Sequence, residues 1–121
     1  MSKVRYRMKR SPLDLLKSIF HPLIIREEDL SEGWEKELGG MVGEYLKSPT
    51  FKIKRYFWVL IRFFGMEGFQ PTTLEGIGKQ THLHGDVELS KTGVFYLKRT
   101  AINLLKQKKH VEALWDFVRE K

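Results

Sequence analysis

The chain has no cysteine, which excludes disulfide cross-links, thiolate metal centres and cysteine nucleophiles. Proline is scarce, with four residues in 121, and Pro12, Pro22, Pro49 and Pro71 act as punctuation between segments. No apolar run approaches the ~20 residues of a membrane-spanning helix. The densest, residues 56–64, is short and carries Arg62. The basic start lacks the apolar core of a secretory signal, so a cytoplasmic protein without a membrane partner is expected. Internal repeats and low-complexity stretches are also missing. No nucleophile–base pair is evident, and Gly76-x-Gly78 falls inside a helical pattern instead of following a strand. Enzymatic activity, a cofactor and a small-molecule substrate are therefore not expected. His82-Leu83-His84 with Asp86 is the nearest thing to a metal-ligand cluster. With no other His or Cys nearby, these read as polar surface residues of a loop and no metal is expected.

What remains is ample for a packed core. Hydrophobic residues make up 41% and aromatic residues 12%, and the length suits a single domain. The formal charge is +7 and the isoelectric point about 9.7, a balance that favours polyanionic partners. The charge is uneven. Lys3, Arg5, Arg7, Lys9 and Arg10 crowd the first ten residues without an acid, whereas Glu27, Glu28, Asp29, Glu32, Glu35, Glu37 and Glu44 make the next stretch acidic.

Hydrophobic spacing predicts an all-α fold of five or six helices over residues 11–121, preceded by a basic flexible arm, residues 1–10. Ser11, Pro12 and Asp14 mark a first helix start. Leu13, Leu16, Ile19 and Phe20 form its stripe, and Pro22 stops it. A second helix is expected from Ser31 to about Lys47, with Trp34, Leu38, Met41, Val42, Tyr45 and Leu46 inward. Gly39, Gly40 and Gly43 mark either a break or a close helix crossing. A third, from about Thr50 to Phe64, is apolar nearly all round and should be the hub of the core. Thr72-x-x-Glu75 reads as a capping box for a short helix from Leu74 to about Gln80. Residues 81–89 read as a loop or small hairpin. Ser90 caps a further helix with Val94, Leu97, Ala101 and Leu104 inward; Val111, Trp115 and Val118 continue it either as one long helix or, the preferred reading for a compact domain, after a bend near residues 107–110.

Three motifs fall in order along residues 56–106. Arg62-Phe63-Phe64-Gly65 is a helix stop. Pro71-Thr72-Thr73-Leu74-Glu75-Gly76-Ile77-Gly78-Lys79 opens a short helix, and Ser90-Lys91 with Val94, Leu97 and Ala101-Ile102 builds the next. Together they resemble region 4 of bacterial sigma factors of the sigma-70 family. The resemblance implies a helix-turn-helix over about residues 72–106, whose second helix lies in a DNA groove, and the polymerase flap as a partner surface. The chain departs from the family in three ways. About six extra residues lie between the two motif helices, near residues 81–86. Lys91-Thr92-Gly93-Val94-Phe95-Tyr96 stands where the family has Arg-Glu-Arg-Val-Arg-Gln, so the Arg that reads guanine is missing. The sequence also has no room for sigma region 2, so a complete sigma factor is not expected.

The resemblance and the charge together suggest a DNA-binding transcription-initiation factor acting with bacterial or phage RNA polymerase on double-stranded DNA. Thr72 and Thr73 at a helix N-terminus suit a phosphate or simply cap the helix. Lys91 and Thr92 face the major groove; Ser90 and Lys91, with Lys98 and Arg99 one to two turns on, contact backbone phosphates or form a solvated basic face; and the arm follows the backbone or only solubilises. Phe95 and Tyr96 flank the stripe; at least one is expected in the core, and an exposed one would touch a thymine methyl, stack on an unpaired base or dock on a protein. The alternative function is a degenerate sigma-region-4-like module that docks on a polymerase or nucleoprotein without reading DNA sequence.

Overall fold

A computed structural model describes residues 10–46 and 51–119 of the protein. Those residues form six α-helices and no strand, so the all-α expectation holds. Lys3, Arg5, Arg7 and Lys9 of the expected arm lie outside the described residues.

The first helix, α1 (Pro12–Phe20), starts where the sequence indicates. Asp14 reaches back so that its carboxylate accepts from the Ser11 backbone N–H at 2.8 Å, and Pro12 occupies a first-turn position where its missing N–H is no loss. Leu15, Leu16, Ile19 and Phe20 are buried. Leu15 belongs to the core and Leu13 only borders it, a correction to the expected stripe.

The second helix, α2 (Trp34–Tyr45), begins three residues after Ser31 because Gly33 precedes it at φ +80°, a left-handed conformation natural to glycine. Ser31 instead closes a turn, its carbonyl accepting from the Trp34 N–H at 3.1 Å. The glycines do not interrupt the helix. At Gly43 an added β-carbon would already stand 3.4 Å from the Phe57 ring, so a close helix crossing is the outcome at that position.

That ring belongs to α3 (Phe51–Phe64), the hub the sequence foresaw. Leu60, Ile61 and Phe64 join the main core with Leu15, Leu16, Trp34, Leu38, Val42, Ala101, Leu105 and Leu114. Their neighbour Val59 turns to a second cluster with Ile77, Leu83 and Val94. Successive side chains on a helix diverge by about 100°, so one helix serves both clusters. Each of the fully buried Leu, Ile and Val side chains contributes roughly 1.5–3 kcal/mol. The helix stops at Gly65, at φ +69°, where the Met66 N–H donates to the Ile61 carbonyl at 2.8 Å and the Met66 side chain is buried. This left-handed stop satisfies carbonyls that the helix end leaves open.

Three helices follow: α4 (Leu74–Gly78), α5 (Lys91–Leu105) and α6 (Lys108–Arg119). The chain bends between α5 and α6, as expected. α6 turns back on the first two helices, with His110 stacked on Tyr45 at 4.3 Å and Trp115 against Phe20 at 5.6 Å, and Leu114 is fully buried.

Candidate functional site

The second cluster holds α4 and the first half of α5 against α3. α4 is short, and its cap is Thr73: the hydroxyl oxygen accepts from the Gly76 N–H at 3.0 Å. The expected box between Thr72 and Glu75 does not form. Thr72 is tied to the end of α3, its N–H donating to the Arg62 carbonyl at 2.8 Å and its hydroxyl to the Gln70 carbonyl at 3.1 Å. The helix opens at Leu74, as expected, but its cap is one residue later than the expected Thr72, and it ends at Gly78, short of Gln80. Both threonine hydroxyls are thus engaged within the chain.

Ser90 does cap α5, accepting from the Gly93 N–H at 3.0 Å. Val94, Ala101 and Leu105 are buried, while Leu97 and Leu104 are half-buried, one position off the expected stripe in its second half. Lys91, Thr92, Phe95, Tyr96, Arg99 and Thr100 are all exposed. They fall into two rows with four-residue spacing, Lys91–Phe95–Arg99 and Thr92–Tyr96–Thr100, adjacent on one outward ridge. The helix contains no acidic residue. Both aromatics stand outside, contrary to the expectation that one enters the core, because Val94 and Leu97 already occupy the inward positions of that turn.

Lys98 and Arg10 are placed differently from the other cations. The Lys98 ammonium lies 4.7 Å from the centre of the Phe63 ring and 5.1 Å from that of Phe95. Arg10 covers the same Phe63 ring at 4.0 Å. Burial, and then the charge of Arg10, pull the Lys98 ammonium below the usual lysine range. Arg10 is not part of a free arm. Its Nε donates to the Phe63 carbonyl at 3.0 Å and its Nη2 to the Thr72 carbonyl at 2.8 Å. The planar guanidinium thereby joins the last turn of α3 to the approach to α4.

Residues 79–90 connect α4 and α5 without a strand, so the loop expectation holds and the hairpin does not. A 3-10 turn, Thr81–Leu83, sends Leu83 into the second cluster. His84 is buried, contrary to its reading as loop surface. Its Nε2 lies 3.0 Å from the Ile77 carbonyl, which accepts only, so Nε2 carries the proton. Nδ1 is buried without a hydrogen-bond partner. The extra residues thus fold back as a plug beneath α4. Among the described residues no group of three or more His, Asp or Glu is arranged to hold a metal, and no helix is long and apolar enough to cross a membrane.

Sequence reasoning missed the anchoring role of Arg10, whose partners lie 53 and 62 residues away and leave no local signal. It also missed an open apolar groove of about 560 Å³ between Phe20, Leu23, Val111, Glu112 and Trp115. No protein-family model, curated protein or solved structure matches the chain.

Proposed function

We propose that the protein is a DNA-binding transcription-initiation factor, similar to region 4 of sigma factors, that acts with a bacterial or phage RNA polymerase. α4 and α5 serve as the helix-turn-helix, with α5 as the helix entering the major groove. The observation that carries this reading is the acid-free outward ridge of α5, with Lys91 and Arg99 exposed at its two ends. Ion pairing with phosphates displaces condensed counterions and supplies affinity without a sequence requirement. Lys98 supports the ridge from behind by bracing Phe95 against Phe63, and Arg10 fixes the joint between α3 and α4. The test is affinity for duplex DNA at two salt concentrations. Binding should fall steeply with salt, and the double charge reversal Lys91→Glu with Arg99→Glu should weaken it by an order of magnitude or more, reducing the salt slope by about one per lost phosphate contact.

A second reading is favoured by the exposure of Phe95 and Tyr96 and by the lack of Arg, Asn and Gln among residues 91–96. On this reading α5 docks on a polymerase or nucleoprotein partner without reading bases. Undetectable duplex binding at low salt, together with co-purification of polymerase, selects it.

A further inference from the structure

Phe95 is 38% exposed and its neighbour Tyr96 56% exposed. Leaving two aromatic rings side by side in water forgoes burial energy that a core position would supply. Such a patch, rimmed by polar groups, is the mark of a contact surface. The rings are not loose. They meet in a T-shaped arrangement, 5.7 Å apart and inclined at 69°, and Lys98 ties Phe95 to Phe63 of α3.

That geometry limits what the pair is able to touch. Stacking on an unpaired base takes up a whole ring face; the Lys98 ammonium already covers one face of Phe95, and with the two rings inclined at 69° no single base lies flat on both. A methyl group needs only an apolar edge. Each aromatic also sits at the middle of its row: Phe95 between Lys91 and Arg99, Tyr96 between Thr92 and Thr100, all of them exposed. Groups suited to phosphates therefore bracket groups suited to an apolar base feature. Arg, Asn and Gln, whose planar forks read guanine or adenine by paired hydrogen bonds, are missing from residues 91–96, and Lys91, at the start of the row, is the one cation there. In the major groove the apolar feature presented by a base is the C5 methyl of thymine.

We propose that Phe95 and Tyr96 form an apolar reader of thymine methyl groups in the major groove of duplex DNA, with Lys91 and Arg99 on the flanking phosphates. The proposal rests on the DNA-binding reading and adds to it the base that is recognised. A short alternating A·T duplex, and the same duplex with uracil in place of every thymine, differ only in that methyl group. The wild-type protein should bind the uracil duplex roughly fourfold more weakly for each methyl contacted, the factor that one buried methyl group is worth. Phe95→Ala and Tyr96→Ala should each shrink that preference while keeping the salt dependence; Tyr96→Ala, at the more exposed ring, should also keep a melting temperature close to the wild type's, and retained salt-dependent binding shows that Phe95→Ala is still folded. Salt-dependent binding with equal affinity for the two duplexes overturns the inference and leaves the DNA-binding reading standing. Tighter binding to single-stranded oligothymidine than to duplex also overturns it, in favour of base stacking. Failure to bind either duplex at low salt overturns the inference and the DNA-binding reading together.

Discussion

Gly78 lies against the carbonyl of Leu89 so closely that a β-carbon on residue 78 would overlap that oxygen. The contact is held from the other side too, since the Leu89 N–H donates to the Gly78 carbonyl at 2.9 Å. This backbone pairing fixes the end of α4 against the residue before the Ser90 cap, and so sets how α5 leaves the domain. Gly78→Ala forces two backbones apart, because the obstacle is a main-chain carbonyl and not the tip of a flexible side chain. The overpacking penalty of about 1–3 kcal/mol outweighs the ~1 kcal/mol that alanine normally adds within a helix. Thermal unfolding should therefore show a lower melting temperature, and an unchanged or higher one would mean that the contact is looser than described.

Gly40 gives the opposite sign with the same substitution. It is exposed in the interior of α2, and a β-carbon there meets nothing within 4 Å. Gly40→Ala should stabilise the protein by up to about 1 kcal/mol, because the unfolded chain loses freedom and the helix gains a better former. In a domain of this size that corresponds to a rise of about 4 °C in melting temperature.

Arg10 separates a structural role from a purely solvating one. Its two hydrogen bonds to the Phe63 and Thr72 carbonyls are charge-assisted and partly buried, and its guanidinium covers the Phe63 ring. Arg10→Ala should lower stability by about 2 kcal/mol, less than the sum of the separate contacts because water replaces part of them. Arg10→Lys keeps the charge but loses the planar fork, so an intermediate loss is expected. If urea unfolding gave all three proteins the same midpoint, Arg10 would belong to the solvated arm after all.

The fold was legible where a local signal decides it. Asp14, Ser90 and the Phe64-Gly65 stop each act within a few residues, and their helices begin or end within a residue or two of expectation; α4 also opens at the expected Leu74, although Thr73 and not Thr72 caps it. Gly33 misled because a left-handed glycine before a helix leaves no pattern that Ser31 does not imitate better. Stripe positions slipped by one at Leu15 and Leu105, since a helix turns 3.6 residues at a time and the facing helices choose which edge of a broad stripe is inward. Thr72, Arg10 and His84 were misread for a shared reason. Each is placed by a partner beyond its own turn of chain, the α3 carbonyls for the first two and the Ile77 carbonyl, seven residues back, for the third. On the candidate site, the outward cations of α5 followed from spacing. The double exposure of Phe95 and Tyr96 depended on how Val94 and Leu97 fill the space above α3, which spacing does not record.

His110 supplies a prediction about pH. Its ring stacks on Tyr45 at 4.3 Å and 25°. Burial, followed by the charge of the adjacent Lys109, holds its imidazole below the ordinary 6.5. The folded state therefore binds fewer protons than the unfolded chain in the interval between the lowered value and 6.5, and stability rises with pH there. This contribution is fully present above about pH 7 and is lost as the pH falls through the folded-state value. The imidazole is only half-buried, so solvent screening keeps the effect small, on the order of a degree in melting temperature. His110→Phe retains a stacked ring and removes the titration, so its melting temperature should fall less than the wild type's between about pH 7.5 and 5.5. The two proteins differ at no other position, which leaves the difference between the two curves to His110. Parallel curves would mean that the ring on Tyr45 accepts its proton as readily when folded as when unfolded.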